Sequence, residues 1–257
     1  CPIGVLMLAN STAPLLVARA VENAARAKAA LPPALGRVIL DPLAVGEIEA
    51  RSYVVYPWRQ PLVPLHWYWA IQRASLRPHV LAWLRGVTEA TAVVPENVQE
   101  TFVEPLILLM EDKELSDTIR SQSRRAVERL NSGSWKPRHI LSHNDFWQGN
   151  ILLDVPKPSA CFMPKRFLVI DWAGAALNGY ALGDLVRASQ SFRLDSARLA
   201  AEIDEHCRIL QCSREDAKGY MLAGIGYLSA RLEQFPRDIF FKFSEEFFVK
   251  MCRVLDV

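Results

Sequence analysis

The sequence predicts an α+β fold in two unequal lobes, a small N-terminal lobe that contains strands and a larger C-terminal lobe that is mainly helical. Three observations lead to this prediction. Short apolar runs bounded by turn residues occur early in the chain, a proline-rich segment follows at 57–64, and helical patterns cover 66–130 and the chain from 180 onward. These patterns give an expected N-terminal lobe at 1–57 and a C-terminal lobe at 58–257.

The N-terminal lobe begins with an apolar run at 5–10 that is typical of a strand. Ser11 and Thr12 carry hydroxyl groups of the kind that cap helices, and the alanine-rich segment after them predicts a helix that ends at Pro32. Two further strands are expected to flank a turn near Val45–Gly46. The lobe is therefore predicted to hold three strands and one long helix.

The segment 57–64, PWRQPLVP, contains three prolines and is predicted to lack regular structure. We interpret it as the hinge between the lobes. In the C-terminal lobe the helical pattern is interrupted by two short apolar runs, ILL at 151–153 and FLVI at 167–170. We expect these runs to form neighbouring strands.

Composition excludes several classes of function. The formal net charge is +2 and both signs are mixed along the chain, so no nucleic-acid partner is expected. No apolar run is long enough to span a membrane. The cysteines are odd in number and none forms a CxxC pair, which favours reduced thiols and a cytoplasmic location over a disulfide or zinc framework: Cys1, Cys161, Cys207, Cys212 and Cys252. Composition does not predict the oligomeric state.

One segment carries the residue types that phosphoryl transfer requires. SHNDFWQGNILLD contains Asp145, which could accept a proton from an incoming hydroxyl, and Asn150, which offers a neutral oxygen to a metal ion. Asp171 ends the apolar run FLVID and offers a charged oxygen, and both oxygens suit magnesium. Each residue alone is more typical of a turn or a strand end, whereas the ordered set favours a functional site.

The same segment resembles a known family. From His143 to Asp184 the sequence resembles the aminoglycoside phosphotransferase and choline kinase family of small-molecule kinases, which share the two-lobed fold of protein kinases. The resemblance covers about a sixth of the chain in specific matches. It consists of the pattern HxDxxxxNIL, an IDW triplet, and a later glycine and Asp-Leu pair: His143, Asp145, Asn150–Leu152, Ile170–Trp172, Gly179 and Asp184–Leu185.

This resemblance implies ATP-dependent phosphorylation of a hydroxyl group on a small metabolite, amino alcohol or aminoglycoside-like molecule, with GTP as the alternative donor. It implies that Asp145 is the catalytic base and that Asn150 and Asp171 hold magnesium. It further implies structural roles for His143, which supports the backbone, and for Asp184, which accepts amide hydrogen bonds. The acceptor is expected to be a small molecule, because the stretch between Asp171 and Asp184 is too short for the activation segment of a protein kinase.

We place the adenine at the hinge, where the Tyr56 carbonyl and the Trp58 N–H are the expected hydrogen-bond partners, because Pro57 has no N–H. Acidic side chains that could attract a cationic acceptor are interleaved with basic ones, so we interpret them as solvated helix faces: Glu202, Asp204, Glu205, Glu245 and Glu246.

Other chemically capable side chains are interpreted as structural. Aromatic residues near the motif are expected to pack and not to stack on a substrate: Phe146, Trp147 and Trp172. The remaining histidines do not cluster with acids or cysteines, so they are interpreted as surface or core residues: His66, His79, His139 and His206.

The N-terminal lobe departs from the kinase pattern. The strand at 5–10 has no lysine to pair with nucleotide phosphates, no glycine-rich loop precedes it, and Glu22 is readily explained as a solvated helix charge. Two explanations stay open at this point. Either the lobe is incomplete in this chain, or it is reduced, and the protein is a catalytically inactive kinase-like binding module.

Overall fold

The computed structural model describes residues 4–62, 66–155, 164–232 and 236–255. It confirms the predicted α+β class in two lobes, with strands in small antiparallel sheets and helices forming most of the C-terminal part. Cys1, Cys161 and the last two residues of the predicted hinge, 63–64, lie outside the described residues.

The strands are short. They are β1 (Gly4–Leu8), β2 (Ala44–Ile48), β3 (Arg51–Pro57), β4 (Gln60–Pro61), β5 (Ile140–Ser142), β6 (Ile151–Leu153), β7 (Phe167–Val169) and β8 (Ala176–Gly179). Among the described residues they form three sheets, with strand orders β1-β3-β2, β4-β6-β7 and β5-β8.

The helices account for most of the described residues. They are α1 (Leu16–Ala30), α2 (Pro33–Gly36), α3 (His66–Thr91), α4 (Glu104–Glu111), α5 (Asp117–Asn131), α6 (Gly183–Ser191), α7 (Ser196–Leu210), α8 (Arg214–Ser229) and α9 (Arg237–Leu255). A π-helical turn at 99–103 leads into α4, and a 3₁₀ turn at 148–150 leads into β6. Within the described ranges, none of these helices combines the length and apolar character that crossing a bilayer requires.

The turn expected near Val45–Gly46 is wrong, because these residues lie inside β2. The chain reverses instead at Glu49 and Ala50, where φ is +50° and +59°, between the paired residues that end β2 and begin β3. Positive φ at both central residues is the geometry of a tight hairpin turn. Gly46 serves the sheet: a Cβ there would lie 2.7 Å from the ring of Tyr53, its partner across the sheet.

The N-cap predicted at Ser11 and Thr12 is also wrong, because α1 begins at Leu16 and has no side-chain cap. The side chain of Asn10 organises the preceding turn by accepting hydrogen bonds from the Ala13 N–H, at 2.8 Å, and the Thr12 hydroxyl, at 2.9 Å. The predicted helix end is confirmed, since the chain becomes extended immediately after α1.

The hinge is more regular than predicted. Pro57 ends β3, and Gln60 and Pro61 form β4, which pairs with the C-terminal half of β6. The prediction of no regular structure is therefore wrong at these three residues. Proline is tolerated there because β4 lies at the edge of its sheet, where a ladder N–H is not needed. The Arg59 side chain lies 3.7 Å from the Asp154 carboxylate, which ties the hinge to the end of β6.

Two apolar clusters hold the structure together. The large one fills the C-terminal lobe and includes fully buried aromatic rings such as Phe102, Trp135 and Tyr220. The small one lies between the lobes, where Tyr56 of β3 belongs to the same cluster as Leu168 of β7. The small cluster holds the N-terminal sheet against the β6–β7 pair that carries the motif.

Candidate active site

The β6–β7 pair brings Asn150 and Asp171 to one end of a sheet. The strands are antiparallel, with Ile151 opposite Val169, so the residue before β6 and the residues after β7 lie at the same end. The Ile170 N–H donates to the Asn150 carbonyl at 3.0 Å and extends the pairing beyond the strands. The juxtaposition expected from the two apolar runs is therefore present.

The side chain of Asn150 holds Asp145 in place. Its Nδ2 donates to the Asp145 carbonyl and to the Asp145 carboxylate oxygen Oδ2, each at 2.9 Å. Both amide hydrogens are used in this way, which leaves Oδ1 of Asn150 as an acceptor for another partner. Asn150 is 7% exposed, so its orientation is fixed by its surroundings.

The other oxygen of Asp145 is held by Arg187. Nη2 of Arg187 lies 2.5 Å from Oδ1 of Asp145, and both side chains are about two-fifths exposed at 41% and 42%. Sequence reasoning missed Arg187. A signal was present, because Arg187 follows Asp184 by three residues in α6 and such residues share one helix face.

His143 and Asp184 shape the loop, as the resemblance implies. His143 Nδ1 accepts a hydrogen bond from the Asp145 N–H at 3.3 Å, and its Nε2 lies 3.0 Å from the Ile170 carbonyl. Nε2 therefore carries the hydrogen and donates it, which ties the loop to the end of β7.

The carboxylate of Asp184 accepts the His143 N–H at 2.6 Å. Burial raises the pKa of Asp184, and the backbone N–H groups of His143 and Asn144 oppose that shift by stabilising the carboxylate. These contacts fix the backbone of the loop and leave the chemistry to other side chains.

Asp171 stands in a backbone conformation that L-residues rarely adopt. Its φ is +63°, and Asn144, the residue before Asp145, has a φ of +62°. Strained backbone of this kind commonly accumulates at functional sites. The Asp171 side chain is exposed, and within the described residues it has no hydrogen-bond or ion-pair partner.

The negative charge of Asp171 acts on Tyr56, a residue of the small cluster between the lobes. Burial raises the pKa of the Tyr56 hydroxyl, and the negative charge of Asp171 raises it further.

A residue of α1 steadies the backbone that follows Asp171. Nδ2 of Asn23 lies 3.2 Å from both the Trp172 and Ala173 carbonyls and donates to them. The neighbouring Glu22 is exposed, in agreement with a solvated helix charge. No local sequence pattern points to Asn23, because its two partners lie far away along the chain.

The donor set fits magnesium held jointly with a nucleotide. Among the described residues no group of three His, Cys, Asp or Glu side chains could hold a metal ion alone. Oδ1 of Asn150 and the carboxylate of Asp171 are hard oxygen donors, and magnesium in nucleotide sites takes its other ligands from phosphates and water.

The hinge residues follow β3. Tyr56 lies in β3 opposite Val5 of β1, and Trp58 comes directly after that strand. The Trp58 carbonyl accepts a hydrogen bond from Arg59 at 3.0 Å. This short stretch connects the N-terminal sheet to β4, which pairs with the C-terminal lobe.

A cavity of about 570 Å³ opens beside Asp145. Its walls come from the motif loop, from β8 and α6, and from α8 and α9. The ion pair of Asp145 and Arg187 forms part of the wall. The wall also contains seven aromatic rings: Trp147, Tyr180, Tyr220, Tyr227, Phe240, Phe243 and Phe247.

The packing role expected for the aromatic residues near the motif is confirmed for Phe146 and Trp172, which are 0% and 2% exposed. It is wrong for Trp147, which is 43% exposed and lines the cavity. The Trp147 ring lies over Gly149, where a Cβ would be 2.4 Å away, so the glycine makes room for an outward ring.

The histidines and acids outside the motif have structural surroundings. His139 and His206 are buried and His79 is exposed, as expected, while the His66 side chain lies outside the description. None of the five acids considered for a cationic acceptor lines the cavity. Three of them pair with arginines on the helix surface: Glu202 with Arg85, Asp204 with Arg214 and Glu205 with Arg208.

Comparison with known proteins gives structural neighbours only. No protein-family model matches the sequence, and no curated protein matches it. The choline kinase LicA from Streptococcus pneumoniae is 14% identical with a TM-score of 0.49, over 96% of this chain and 86% of that chain. A thermostable mutant of the aminoglycoside phosphotransferase APH(4)-Ia, in its apo form, is 18% identical with a TM-score of 0.50, over 98% and 86%. The similarity to APH(4)-Ia shows the fold, and by its name this neighbour is an aminoglycoside phosphotransferase.

Proposed function

We propose that this protein is a small-molecule kinase that transfers the γ-phosphoryl group of ATP to a hydroxyl group, with GTP as the alternative donor. One observation carries the proposal: Asn150 binds the carboxylate of Asp145 while Asp171 lies at the same end of the β6–β7 pair. The fold shared with the aminoglycoside phosphotransferase APH(4)-Ia supports a phosphotransferase of this general class.

In the proposed reaction Asp145 acts as the general base. Its carboxylate takes the proton of the acceptor hydroxyl while the hydroxyl oxygen forms a bond to the γ-phosphorus, and the bond from that phosphorus to the bridging oxygen breaks to release the nucleoside diphosphate. Asn150 and Arg187 hold the two carboxylate oxygens, so the base meets the hydroxyl in a fixed orientation.

Asn150 and Asp171 would hold magnesium through Oδ1 and the carboxylate, respectively. Magnesium, when bound, neutralises charge on the phosphates. The Tyr56 carbonyl and the Trp58 N–H remain our proposed partners for the adenine. We propose that the boundary between the lobes lies between residues 57 and 58. We propose the cytoplasm as the compartment, because the described cysteines are free thiols.

A second candidate function is a catalytically inactive kinase-like binding module. The observation that favours it is β1, whose five residues GVLML include no basic side chain that could pair with nucleotide phosphates. The two functions differ in chemistry more than in fold, so they require a functional test.

Thermal unfolding with and without magnesium and ATP tests the proposed function first. Ligands that bind only the native state raise the melting temperature. At a ligand concentration of 100 times the dissociation constant they add about 2.7 kcal/mol to the free energy of unfolding. We expect a rise in wild type that is reduced in Asp171→Ala. Transfer of ³²P from γ-labelled ATP to an acceptor then separates the candidates: nucleotide binding without transfer to any acceptor would support the inactive module.

A further inference from the structure

We propose that the cavity beside Asp145 takes an uncharged acceptor, a hydroxyl compound with an apolar or aromatic body, in preference to an amine-bearing cation. This inference rests on the proposed function, because it assigns the substrate class of the same site. Aromatic surface, the charges in the wall and the size of the cavity support it.

The tyrosines of the wall contribute ring surface more than hydroxyl groups. The Tyr180 hydroxyl donates to the Thr101 carbonyl, and the Tyr220 hydroxyl accepts the Arg138 N–H at 2.7 Å. Neither backbone partner lines the cavity, so both hydroxyls are already engaged elsewhere. What these two side chains offer a ligand is apolar ring surface.

Apolar surface also remains exposed at the cavity. Trp147 of the motif loop is 43% exposed and Phe243 of α9 is 53% exposed. They lie far apart in the sequence and line the same cavity. A ligand with an apolar body would cover both rings, and the hydrophobic effect favours that burial.

The charges of the wall do not favour a cation. Among the described lining residues the charged side chains are Asp145 and Arg187, which already neutralise each other. The guanidinium of Arg231 lies 3.8 Å from the centroid of the Tyr227 ring, so this cation already occupies a position over that ring. Among the described lining residues an ammonium group would therefore meet no unpaired carboxylate, and it would add to the positive charge of Arg231.

The size of the cavity suits a drug-sized molecule. Its volume of about 570 Å³ lies within the range of about 300–1,000 Å³ that is usual for small-molecule sites. Asp145 is part of the wall, so a hydroxyl group at one end of the ligand can reach the base while the apolar body lies against α8 and α9.

Isothermal titration calorimetry on the full chain tests this proposal without requiring turnover. The probes are 2-(2-naphthyl)ethanol as the neutral acceptor, and choline and kanamycin as cations. We expect measurable binding of the neutral alcohol and binding of the two cations that is at least about tenfold weaker, a difference of about 1.4 kcal/mol. Stronger binding of choline or kanamycin, or no binding of the neutral alcohol, would overturn the proposal.

Phe243→Ala is the variant that reports on the wall. Removal of the ring is expected to weaken binding of the neutral alcohol about tenfold, since burial of a phenyl group contributes on that scale. Leu108→Ala is the matched control, because Leu108 is similarly exposed, at 50%, and lies on α4 outside the cavity wall. Equal affinities for the two variants would contradict the assigned site.

The same probes distinguish this inference from the proposed function. If the neutral alcohol binds and Phe243→Ala weakens it, but no phosphate is transferred with ATP and magnesium, the acceptor site stands and the kinase proposal fails. If a cation is phosphorylated and the neutral alcohol is not, the kinase proposal stands and this inference fails.

Discussion

Asn150 donates both hydrogens of its side-chain amide to Asp145, one to the backbone carbonyl and one to the carboxylate, each at 2.9 Å. One residue thereby fixes the proposed base and keeps its own side-chain oxygen available as the proposed metal ligand. The proposed base and the proposed metal site are joined through this side chain.

Two substitutions of Asn150 are expected to separate these roles. Asn150→Ala removes both hydrogen bonds and the oxygen ligand, so it should lower kcat by about 10²-fold or more and raise the magnesium concentration needed for half-maximal rate. Asn150→Asp keeps an oxygen ligand but places a second carboxylate beside Asp145, so transfer should fall while the magnesium requirement changes less. Rates measured across a magnesium titration check both, and an identical magnesium dependence in the two variants would contradict the metal role.

Arg187 is proposed to be a positioning residue for Asp145. Arg187→Ala releases one carboxylate oxygen, so we expect kcat to fall by about 10- to 100-fold while KM for ATP changes little. Arg187→Lys keeps the charge without the planar fork and should restore part of the loss. Steady-state kinetics distinguish the outcomes: a selective rise in KM for ATP would mean that Arg187 binds the nucleotide.

Asp171 is expected to contribute to nucleotide affinity as well as to the reaction rate. Asp171→Ala removes the carboxylate that has no partner within the described residues, so affinity for ATP in the presence of magnesium should fall by about tenfold or more. Glu128→Ala removes one exposed negative charge from α5 and serves as the control. Calorimetric titration that shows equal affinities in the two variants would remove Asp171 from the metal site.

His206 predicts a loss of stability in acid. Its side chain is 2% exposed, its Nδ1 lies 3.0 Å from the Thr88 hydroxyl, and burial, together with the charge of Arg85, lowers its pKa to about 4. The unfolded chain binds a proton near pH 6.5 and the folded chain only near pH 4, so this contribution to stability is complete above pH 6.5 and is lost as the pH falls to 4. The loss should be about 3 kcal/mol.

Urea unfolding of wild type and His206→Gln between pH 4 and 7.5 measures this contribution, because other acidic groups act equally in both proteins. The stability difference between the two proteins should move in favour of the variant as the pH falls. A difference that does not depend on pH would show that His206 does not titrate as proposed.

The sequence predicts those parts of the site that depend on local patterns. The strands around Asn150 and Asp171 follow from apolar runs, and the spacing within the motif fixes the loop that carries Asp145. By contrast, the sequence predicts that Trp147 packs in the core, whereas its ring is exposed and lies over Gly149 of a 3₁₀ turn. The apolar pattern does not reveal this arrangement.

Features formed between distant segments could not be predicted in this way. Asn23 contacts Trp172 across the fold, and the cavity combines the motif loop with α9 from the end of the chain. The sequence predicts the turn at Val45–Gly46, because glycine is common in turns. Gly46 instead lies in a strand under the ring of Tyr53, and the chain turns at Glu49–Ala50. Such contacts depend on tertiary packing, which local propensity does not encode.

Asp145→Asn tests the central claim most directly. The substitution keeps the shape of the side chain and removes the charge that accepts the proton, so kcat with a phosphorylated acceptor should fall by about 10² to 10⁴-fold. Affinity for ATP should stay within about twofold of wild type, because the proposed role concerns the transition state. Single-turnover transfer from γ-labelled ATP gives both quantities. A large fall in rate with unchanged nucleotide affinity is the predicted result, and full activity in Asp145→Asn would contradict the assignment of Asp145 as the catalytic base.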